Sequence, residues 1–287
     1  MQEFKVEKKD DNKKLIQCIT SKYKNLSQNT LYKAMRNKDI KINGKRISED
    51  ILLKCGDVVE IYISDDLICG KKEIKKSLII YEDEYMLVYN KPKELEVQGN
   101  SKEPGLEELL KSNLKIKYLE ACHRIDRNTT GLVIFAKDEK SRVELVKMIN
   151  DKTISKFYKA YVYGILKQKR ATLKAYLFKD SKNSNVIISN QKNKGYVEII
   201  TKYKVLSENK ESNTSLLEIE LLTGRTHQIR AHLAYIGYPI IGDGKYGINK
   251  INKAFKKKYQ MLEAYKLVFS DNIKGRFSYL SNKVIEI

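Results

Sequence analysis

The sequence predicts an α+β protein with a mainly antiparallel mixed sheet flanked by helices, preceded by a smaller α/β unit. Strand-like segments rich in β-branched and aromatic residues follow one another with helices inserted between some of them, without strict strand–helix alternation. The chain has 287 residues, 41% of them hydrophobic, so it can bury a sizeable core. A charged stretch without clear periodicity separates two patterned regions. We therefore expect a small domain at 13–63, a linker at 64–76 and a larger domain at 77–287.

The small domain at 13–63 is expected to combine two helices with a hairpin. Apolar spacing in KKLIQCITSKY predicts the first helix, and Ser27 is placed to cap the second. Asn43-Gly44 predicts a hairpin because both residues accept positive φ, and Gly56-Asp57 predicts a turn before a strand at Val58–Ile63. Basic residues gather on the second helix and the hairpin. They suit RNA phosphates, although an ordinary solvated face would also carry them: Lys33, Arg36, Lys38, Lys41, Lys45 and Arg46.

The larger domain begins with two predicted strands around an acidic turn in SLIIYEDEYMLVYNKP, ended by Pro92. Helices are predicted in EPGLEELLKSNL and in DEKSRVELVKMIN, the second capped by Asp138. THQIRAHLAYIG predicts a further helix that ends at Gly237. Between them lie the strand-like segments KFYKAYVYGIL, ATLKAYLF, NVIISN, GYVEIITKYKVL and TSLLEIELLTG.

The formal net charge of +20 favours a polyanionic partner such as nucleic acid, although lysine can also be the default on solvated surfaces. The positions of the arginines indicate a binding site more specifically than those of the lysines. Four of the nine fall in two short segments, which also hold all three histidines. These two segments, HRIDRNTTGLVIFAK and LLTGRTHQIRAHL, therefore become the candidate site.

Several classes of protein are not expected. No stretch of about 18 apolar residues predicts a transmembrane helix, and the polar N-terminus has no signal core, so we expect a cytoplasmic protein. The four cysteines match no zinc pattern, and His227 and His232 do not share a helix face, so no metal site is expected. No Walker loop or GxGxxG motif indicates a nucleotide cofactor. Hydrolysis, isomerisation and pure binding remain.

Asp126 is the strongest candidate for a catalytic residue, because it lies between Arg124 and Arg127 just before a TTG turn and an apolar run. Nearby guanidinium groups favour an ionised carboxylate, which can act as a nucleophile or a base at a sugar carbon. An acid between arginines can equally be a surface ion pair. Arg225 lies on a predicted turn, where it could clamp a carboxylate bidentately. Tyr158 alternates with Lys156 on a predicted strand and could stack on an exposed base.

Four segments, in the same order, closely resemble the RluA-type pseudouridine synthases: IIYEDEYMLVYNKP, HRIDRNTTGLVIFAK, KFYKAYVYG and LLTGRTHQIRAHLAYIGYPIIGDGKYG. They span about residues 79–247, and the second and fourth are long and specific. The N-terminal unit resembles the RNA-binding module shared with a small-subunit ribosomal protein. The resemblance implies an isomerase that converts uridine to pseudouridine within RNA and needs neither a metal nor an organic cofactor.

The resemblance also implies a role for individual residues. Asp126 matches the catalytic aspartate, which acts as a nucleophile at C1′ or as the base that starts an elimination. Arg225 matches the arginine that pairs with this aspartate, and Tyr158 matches the tyrosine that stacks on the base and removes the C5 proton. Arg124 matches the arginine that holds the place of the flipped-out nucleotide. Further RNA contacts are expected from the other basic residues of these motifs: Arg127, Lys156, His227 and Arg230.

Three positions depart from the family pattern. After NKP the family usually has a small residue and a glycine, where this chain has Lys93-Glu94-Leu95. Glu263 stands where histidine is common, and Thr130 where serine is frequent.

The favoured substrate is large-subunit ribosomal RNA, because the RNA-binding module and the positive charge suit a large folded RNA. A transfer RNA is the alternative substrate, and an inactive relative that assists ribosome assembly is the alternative function. The intact Asp126, Tyr158 and Arg225 argue against an inactive relative. We expect a monomer without membrane partners.

Overall fold

The computed structural model describes residues 2–63, 74–100, 103–180 and 185–287, and the chain divides into two compact units, Met1–Glu73 and Ile74–Ile287. Most of the predicted linker at 64–76, namely 64–73, lies outside the described residues. Ile74 packs against the core of the second unit, which therefore begins slightly before the predicted position 77.

The first unit holds β1 (Gln2–Lys5), α1 (Leu15–Lys22), α2 (Gln28–Arg36), β2 (Ile40–Ile42), β3 (Lys45–Arg46) and β4 (Val58–Ile61). Its strands form an antiparallel sheet in the order β1-β4-β2-β3. The predicted start at residue 13 was too late. β1 pairs with β4 and buries Phe4 and Val6 in the core, so the unit includes the residues before 13.

Two local signals in this unit are confirmed, whereas the strand predicted at Val58–Ile63 ends at Ile61. The Ser27 hydroxyl accepts the Thr30 N–H at 3.2 Å and caps α2. Asn43 and Gly44 form the predicted turn with φ of 49° and 76°, which only glycine and a few polar residues adopt readily.

The second unit has four helices and a long series of strands in its described residues: β5 (Ile79–Glu82), β6 (Met86–Lys91), α3 (Leu106–Leu114), β7 (Glu120–Ala121), β8 (Thr130–Ala136), α4 (Glu139–Asn150), β9 (Ile154–Tyr163), β10 (Arg170–Asp180), β11 (Asn185–Ser189), β12 (Val197–Asn209), β13 (Thr214–Leu221), α5 (Gln228–Tyr235), α6 (Asn249–Ala254), β14 (Leu262–Phe269) and β15 (Val284–Glu286).

These strands form one mixed sheet in the order β11-β10-β12-β13-β9-β14-β8-β6-β5, with β7 beside β8 and β15 beside β14. Within the described residues, the β14–β8 pair is parallel and the other pairs are antiparallel. The predicted α+β class with a mainly antiparallel sheet is confirmed. β14 was not among the predicted strands, although it joins the two halves of the sheet.

Helices cover both faces of this sheet. On β8, Val133 and Phe135 face a core cluster that includes apolar residues of α3 and α5. The alternate residues Leu132 and Ile134 face a second cluster that includes α4. Successive side chains of a strand point to opposite faces, so α5 and α4 lie on opposite sides of the sheet. No helix in the described part of the chain is long and apolar enough to cross a membrane.

Candidate active site

Asp126 lies in the loop between β7 and β8, and a close approach of two strands fixes this loop. The Asp126 carbonyl accepts the Thr129 N–H at 3.0 Å, which closes a turn directly before β8. Gly131 has φ of 115°, and a Cβ at this position would lie 2.2 Å from the carbonyl oxygen of Ala264 on β14. Only glycine fits there. β8 therefore starts at a defined place against β14, and the Asp126 turn is positioned with it.

A buried lysine holds the other side of the same loop. Lys91 at the end of β6 is 0% exposed, and its ammonium donates to the carbonyls of Pro92 at 2.8 Å, Leu95 at 2.7 Å and Arg127 at 2.9 Å. A buried cation is stable only when such acceptors compensate for its lost hydration. The Arg127 carbonyl, one residue after Asp126, is thereby tied to the sheet.

Arg230, in the first turn of α5, joins Asp126 to a second carboxylate. Its Nη1 donates to Asp126 Oδ2 at 2.8 Å. Its Nε and Nη2 donate to Asp243 Oδ2 and Oδ1 at 2.6 and 2.9 Å, in a bidentate pair. The side chain of Asp243 is 0% exposed and that of Arg230 is 9% exposed, whereas that of Asp126 is 25% exposed. Asp243 thus binds Arg230 from the protein interior, and Asp126 binds it from the side that is open to solvent.

The electrostatics of this triad keep Arg230 and Asp243 charged. Burial alone would lower the pKa of Arg230, but the carboxylates of Asp243 and Asp126 outweigh burial and hold this pKa above its ordinary value. Burial alone would raise the pKa of Asp243, but the guanidinium of Arg230 outweighs it and lowers this pKa. Asp126 therefore lies against the guanidinium of Arg230, which stays charged and whose orientation is fixed by Asp243.

The prediction that Arg225 pairs with Asp126 was wrong, and Arg230 holds that place. Arg225 is exposed on the turn before α5, where its backbone N–H donates to Gln228 Oε1 at 3.1 Å. Within the described residues its guanidinium forms no ion pair. The helix begins at Gln228, so its first turn directs Arg230 toward the Asp126 loop while Arg225 remains outside. Arg230 was predicted to contact RNA, but it is 8% exposed and engaged by two carboxylates.

Tyr158 and Lys156, both on β9, border the same site. Tyr158 is 4% exposed, and burial together with the negative charge of Asp126 raises its pKa. Burial and the charge of Lys152 lower the pKa of Lys156 to about 8. The Lys156 ammonium lies 4.0 Å from the position that a Cβ on Gly224 would take, against the TGR turn. Among the described residues it has no carboxylate partner.

His227 and Tyr246 support the triad from the side. His227 Nδ1 and the Tyr246 hydroxyl lie 2.9 Å apart, and the Arg230 guanidinium lies 5.3 Å from the centre of the Tyr246 ring. The Tyr246 N–H donates to Asp243 Oδ1 at 3.0 Å. His227 was predicted to contact RNA. It is half-buried, and burial lowers its pKa.

Asp243 and Tyr246 were not predicted as site residues, although both lie in the matched segment IGDGKYG. An acid flanked by glycines is the signal that could have indicated Asp243.

The remaining predicted RNA contacts lie at the surface. Arg124 and Arg127 are exposed and form no ion pair with Asp126, and the nearest carboxylate to Arg127 is Glu103 at 4.0 Å. In the first unit, Lys41 lies 3.9 Å from Glu60 and also contacts the Tyr62 ring. Four other cations of that unit are exposed and have no ion-pair partner in the described residues: Lys33, Arg36, Lys45 and Arg46.

Two of the departures from the family pattern have local explanations. Glu94 has φ of 61°, a region that favours glycine, and the Tyr259 hydroxyl donates to its carboxylate. Glu263 accepts the Thr130 hydroxyl at 3.4 Å across the β14–β8 pair. No group of three or more potential metal ligands occurs in the part of the chain that the structure describes.

Comparison with known proteins connects this geometry to one family. The profile of the RNA pseudouridylate synthase family matches residues 85–235, which include the Asp126 loop, β9 and Arg230. The chain is 35% identical to a ribosomal large subunit pseudouridine synthase C of Buchnera aphidicola (subspecies Baizongia pistaciae), over 83% of this chain and 78% of that one. It is 33% identical to an uncharacterized RNA pseudouridine synthase of Mycoplasma capricolum, over 99% of this chain and 97% of that one.

The solved structure of human RNA pseudouridylate synthase domain containing 1 shares the fold, with a TM-score of 0.56 at 23% identity, over 66% of this chain and 76% of that one. As its resemblance to the RluA-type enzymes predicts, the chain belongs to the RNA pseudouridylate synthases, the isomerases that convert uridine to pseudouridine in RNA.

Proposed function

We propose that this enzyme modifies large-subunit ribosomal RNA and that the Asp126 carboxylate acts at C1′ of the target uridine. The Asp126–Arg230 pair carries the assignment. One carboxylate oxygen, Oδ2, is occupied by Arg230 at 2.8 Å. The other, Oδ1, accepts no hydrogen bond from the described residues and belongs to a side chain that is 25% exposed. It is free to approach a sugar carbon once the nucleotide has left its stack.

Two routes start from this carboxylate, and both balance without a cofactor. On the nucleophilic route, Asp126 attacks C1′, the N1–C1′ bond breaks, and uracil leaves with the electron pair. After the base turns, C5 attacks C1′, the aspartate leaves, C5 loses its proton and N1 gains one. On the elimination route, Asp126 removes the C2′ proton, uracil leaves with the electron pair of the N1–C1′ bond, and a glycal forms. After the base turns, C5 adds to C1′, Asp126 returns the proton to C2′, C5 loses its proton and N1 gains one. In both, a detached anionic base must be held away from water.

Tyr158 is proposed to stack on the target base. Its aromatic ring borders the carboxylate, and its raised pKa keeps the phenol neutral in the RNA-free site. A neutral phenol can stack and hydrogen-bond but is a weak base, so stacking is better supported than removal of the C5 proton. Lys156 and Arg124 are proposed to contact the RNA around this base.

The first unit is proposed to be an RNA-binding module. The exposed and unpaired cations of α2 and the β2–β3 hairpin support this: Lys33, Arg36, Lys45 and Arg46. The names of several relatives, which are 31–35% identical, specify the ribosomal large subunit, and this supports ribosomal RNA over transfer RNA. We further propose that the enzyme acts as a monomer in the cytoplasm and without a metal.

Tritium release tests this function. RNA labelled with 5-tritiated uridine loses tritium when C5 is joined to the sugar. We expect release from large-subunit ribosomal RNA with the wild type and none above background with Asp126→Asn, which keeps the shape of the side chain. Unchanged circular dichroism would show that this variant is folded. Release only from transfer RNA would contradict the proposed substrate, and full activity of Asp126→Asn would contradict the proposed site.

A further inference from the structure

The segment from Gly244 to Lys258 is the most basic part of the second unit. It contains six lysines and no acid. Elsewhere in this unit some exposed lysines pair with carboxylates, for example Lys169 with Glu208 at 2.5 Å and Lys202 with Glu220 at 2.9 Å. In contrast, Lys253, Lys256 and Lys257 are exposed and have no carboxylate within ion-pair distance among the described residues. The segment therefore concentrates positive charge without an acid in its own sequence.

The backbone gathers these lysines around one pocket. α6 ends at Ala254, and Lys256 then adopts φ of 51°, which turns the chain back on itself. The result is a pocket of about 340 Å³, open to solvent, whose lining includes Asn249, Lys253, Lys256, Lys257 and Lys258. We call it the lysine pocket. Four lysines among the lining residues concentrate positive charge at this opening, which favours an anion there.

The lysine pocket is joined to the catalytic triad by buried contacts. Asn252, on α6, accepts the Gly242 N–H at 2.7 Å and donates to the Asp243 carbonyl at 2.9 Å. Gly242 has φ of 82°, and a Cβ there would lie 2.1 Å from the Tyr259 carbonyl oxygen and 3.1 Å from Lys257 Cβ. The lysine segment therefore packs directly on the turn that carries Asp243, which in turn holds Arg230.

We propose that the lysine pocket binds a backbone phosphate of the substrate RNA close to the target uridine. This rests on the proposed function, because an RNA must lie over Asp126 for its flanking phosphates to reach the pocket. Lysine is a point-charge donor that binds phosphate without reading the base. The pocket thus contributes affinity for the RNA without contacting the nucleotide that reacts at Asp126.

The test uses the triple variant Lys253→Gln/Lys256→Gln/Lys257→Gln of the full chain and a control with the same change in charge. The control, Lys140→Gln/Lys147→Gln/Lys274→Gln, removes exposed lysines of α4 and of the segment that packs beneath it, on the opposite face of the sheet from α5. The probe is a large-subunit ribosomal RNA transcript, and its affinity is measured over a series of salt concentrations.

We expect the pocket variant to bind the transcript on the order of tenfold more weakly than the control, with a salt slope smaller by about 1 because one phosphate contact is lost. Its rate constant at saturating RNA should equal that of the control, because the triad is intact. Equal affinity and slope in the two variants would overturn the proposal. If the wild type releases no tritium from any cellular RNA, the proposed function fails, whereas the comparison of the two variants still tests the pocket by binding alone.

Discussion

Arg225 and Arg230 lie five residues apart and have opposite environments. Arg225 is exposed on a turn, whereas Arg230 is buried between two carboxylates. We therefore expect Arg230→Gln to lower kcat by about 10²- to 10³-fold, as the loss of a preorganised electrostatic partner does elsewhere. Arg225→Gln should leave kcat close to the wild-type value and act, if at all, on the KM for RNA. Single-turnover tritium release measures both variants.

A control separates catalysis from folding. Arg230→Gln leaves the Asp243 carboxylate buried without its cation, which destabilises proteins by about 3–5 kcal/mol. The double variant Arg230→Gln/Asp243→Asn removes that charge and should recover much of the melting temperature without recovering kcat. Recovery of activity in the double variant would show that Arg230 serves stability alone.

Lys156 gives the site a dependence on pH. Burial first, and then the charge of Lys152, disfavour its ammonium form and lower its pKa to about 8, so the charge is mostly present at pH 7 and mostly lost at pH 9. An ordinary lysine stays charged over this range. We expect RNA affinity to fall between pH 7 and 9 in the wild type and to fall less in Lys156→Arg, because arginine keeps its charge. Parallel pH profiles for the two proteins would contradict this role.

The sequence identified the catalytic candidates one by one but not their pairing. Asp126 stands out locally because its neighbours are basic and a buried strand follows. The partner that it meets is 104 residues away, and two arginines in the same motif were available. Which of them is buried depends on the residue at which α5 begins. No local pattern specified that start.

At the scale of elements, turns and helix caps were predictable because they depend on interactions between residues that are close in sequence. Ser27 and Asp138 cap α2 and α4 as predicted, with Asp138 accepting the Ser141 N–H at 2.9 Å. Pairings between distant strands were not predictable. β1 lies more than 50 residues before its partner β4, and the parallel contact of β14 with β8 depends on Gly131 leaving room for Ala264. Such pairings are set by the whole sheet.

The loop after β6 offers a test of backbone strain. Glu94 has positive φ, which costs a non-glycine residue about 1 kcal/mol. Glu94→Ala and Glu94→Gly both remove the hydrogen bond from Tyr259, but only glycine relieves the strain. We expect Glu94→Gly to be more stable than Glu94→Ala by about 1 kcal/mol in chemical denaturation. Equal stabilities would show that the loop adjusts its backbone at no cost.

On the scale of the whole molecule, the two units have separate cores. Among the described residues, the core cluster of the first unit contains only residues between Phe4 and Ile63, and those of the second unit contain only residues after 73. We therefore expect a chain without residues 1–73 to keep the circular dichroism spectrum of a folded second unit. It should bind ribosomal RNA more weakly and with a shallower salt dependence.

A full-length variant separates the contribution of the surface charges to RNA affinity from that of the rest of the first unit. Lys33→Gln/Arg36→Gln/Lys45→Gln/Arg46→Gln changes only exposed side chains of α2 and the hairpin. It should reproduce most of the loss of affinity caused by the deletion. If neither protein binds RNA more weakly than the wild type, the first unit is not an RNA-binding module.

β8 contributes to the two larger core clusters of the second unit, since its alternate residues face α3 and α5 on one side and α4 on the other. Local opening of this strand would expose both clusters to water at once, so its amide hydrogens should exchange only near the free energy of global unfolding. The surface loops around the site can open at much lower cost. The Asp126 turn is therefore attached to a segment that we expect to unfold among the last, so its carboxylate should keep its place when nearby surface loops open.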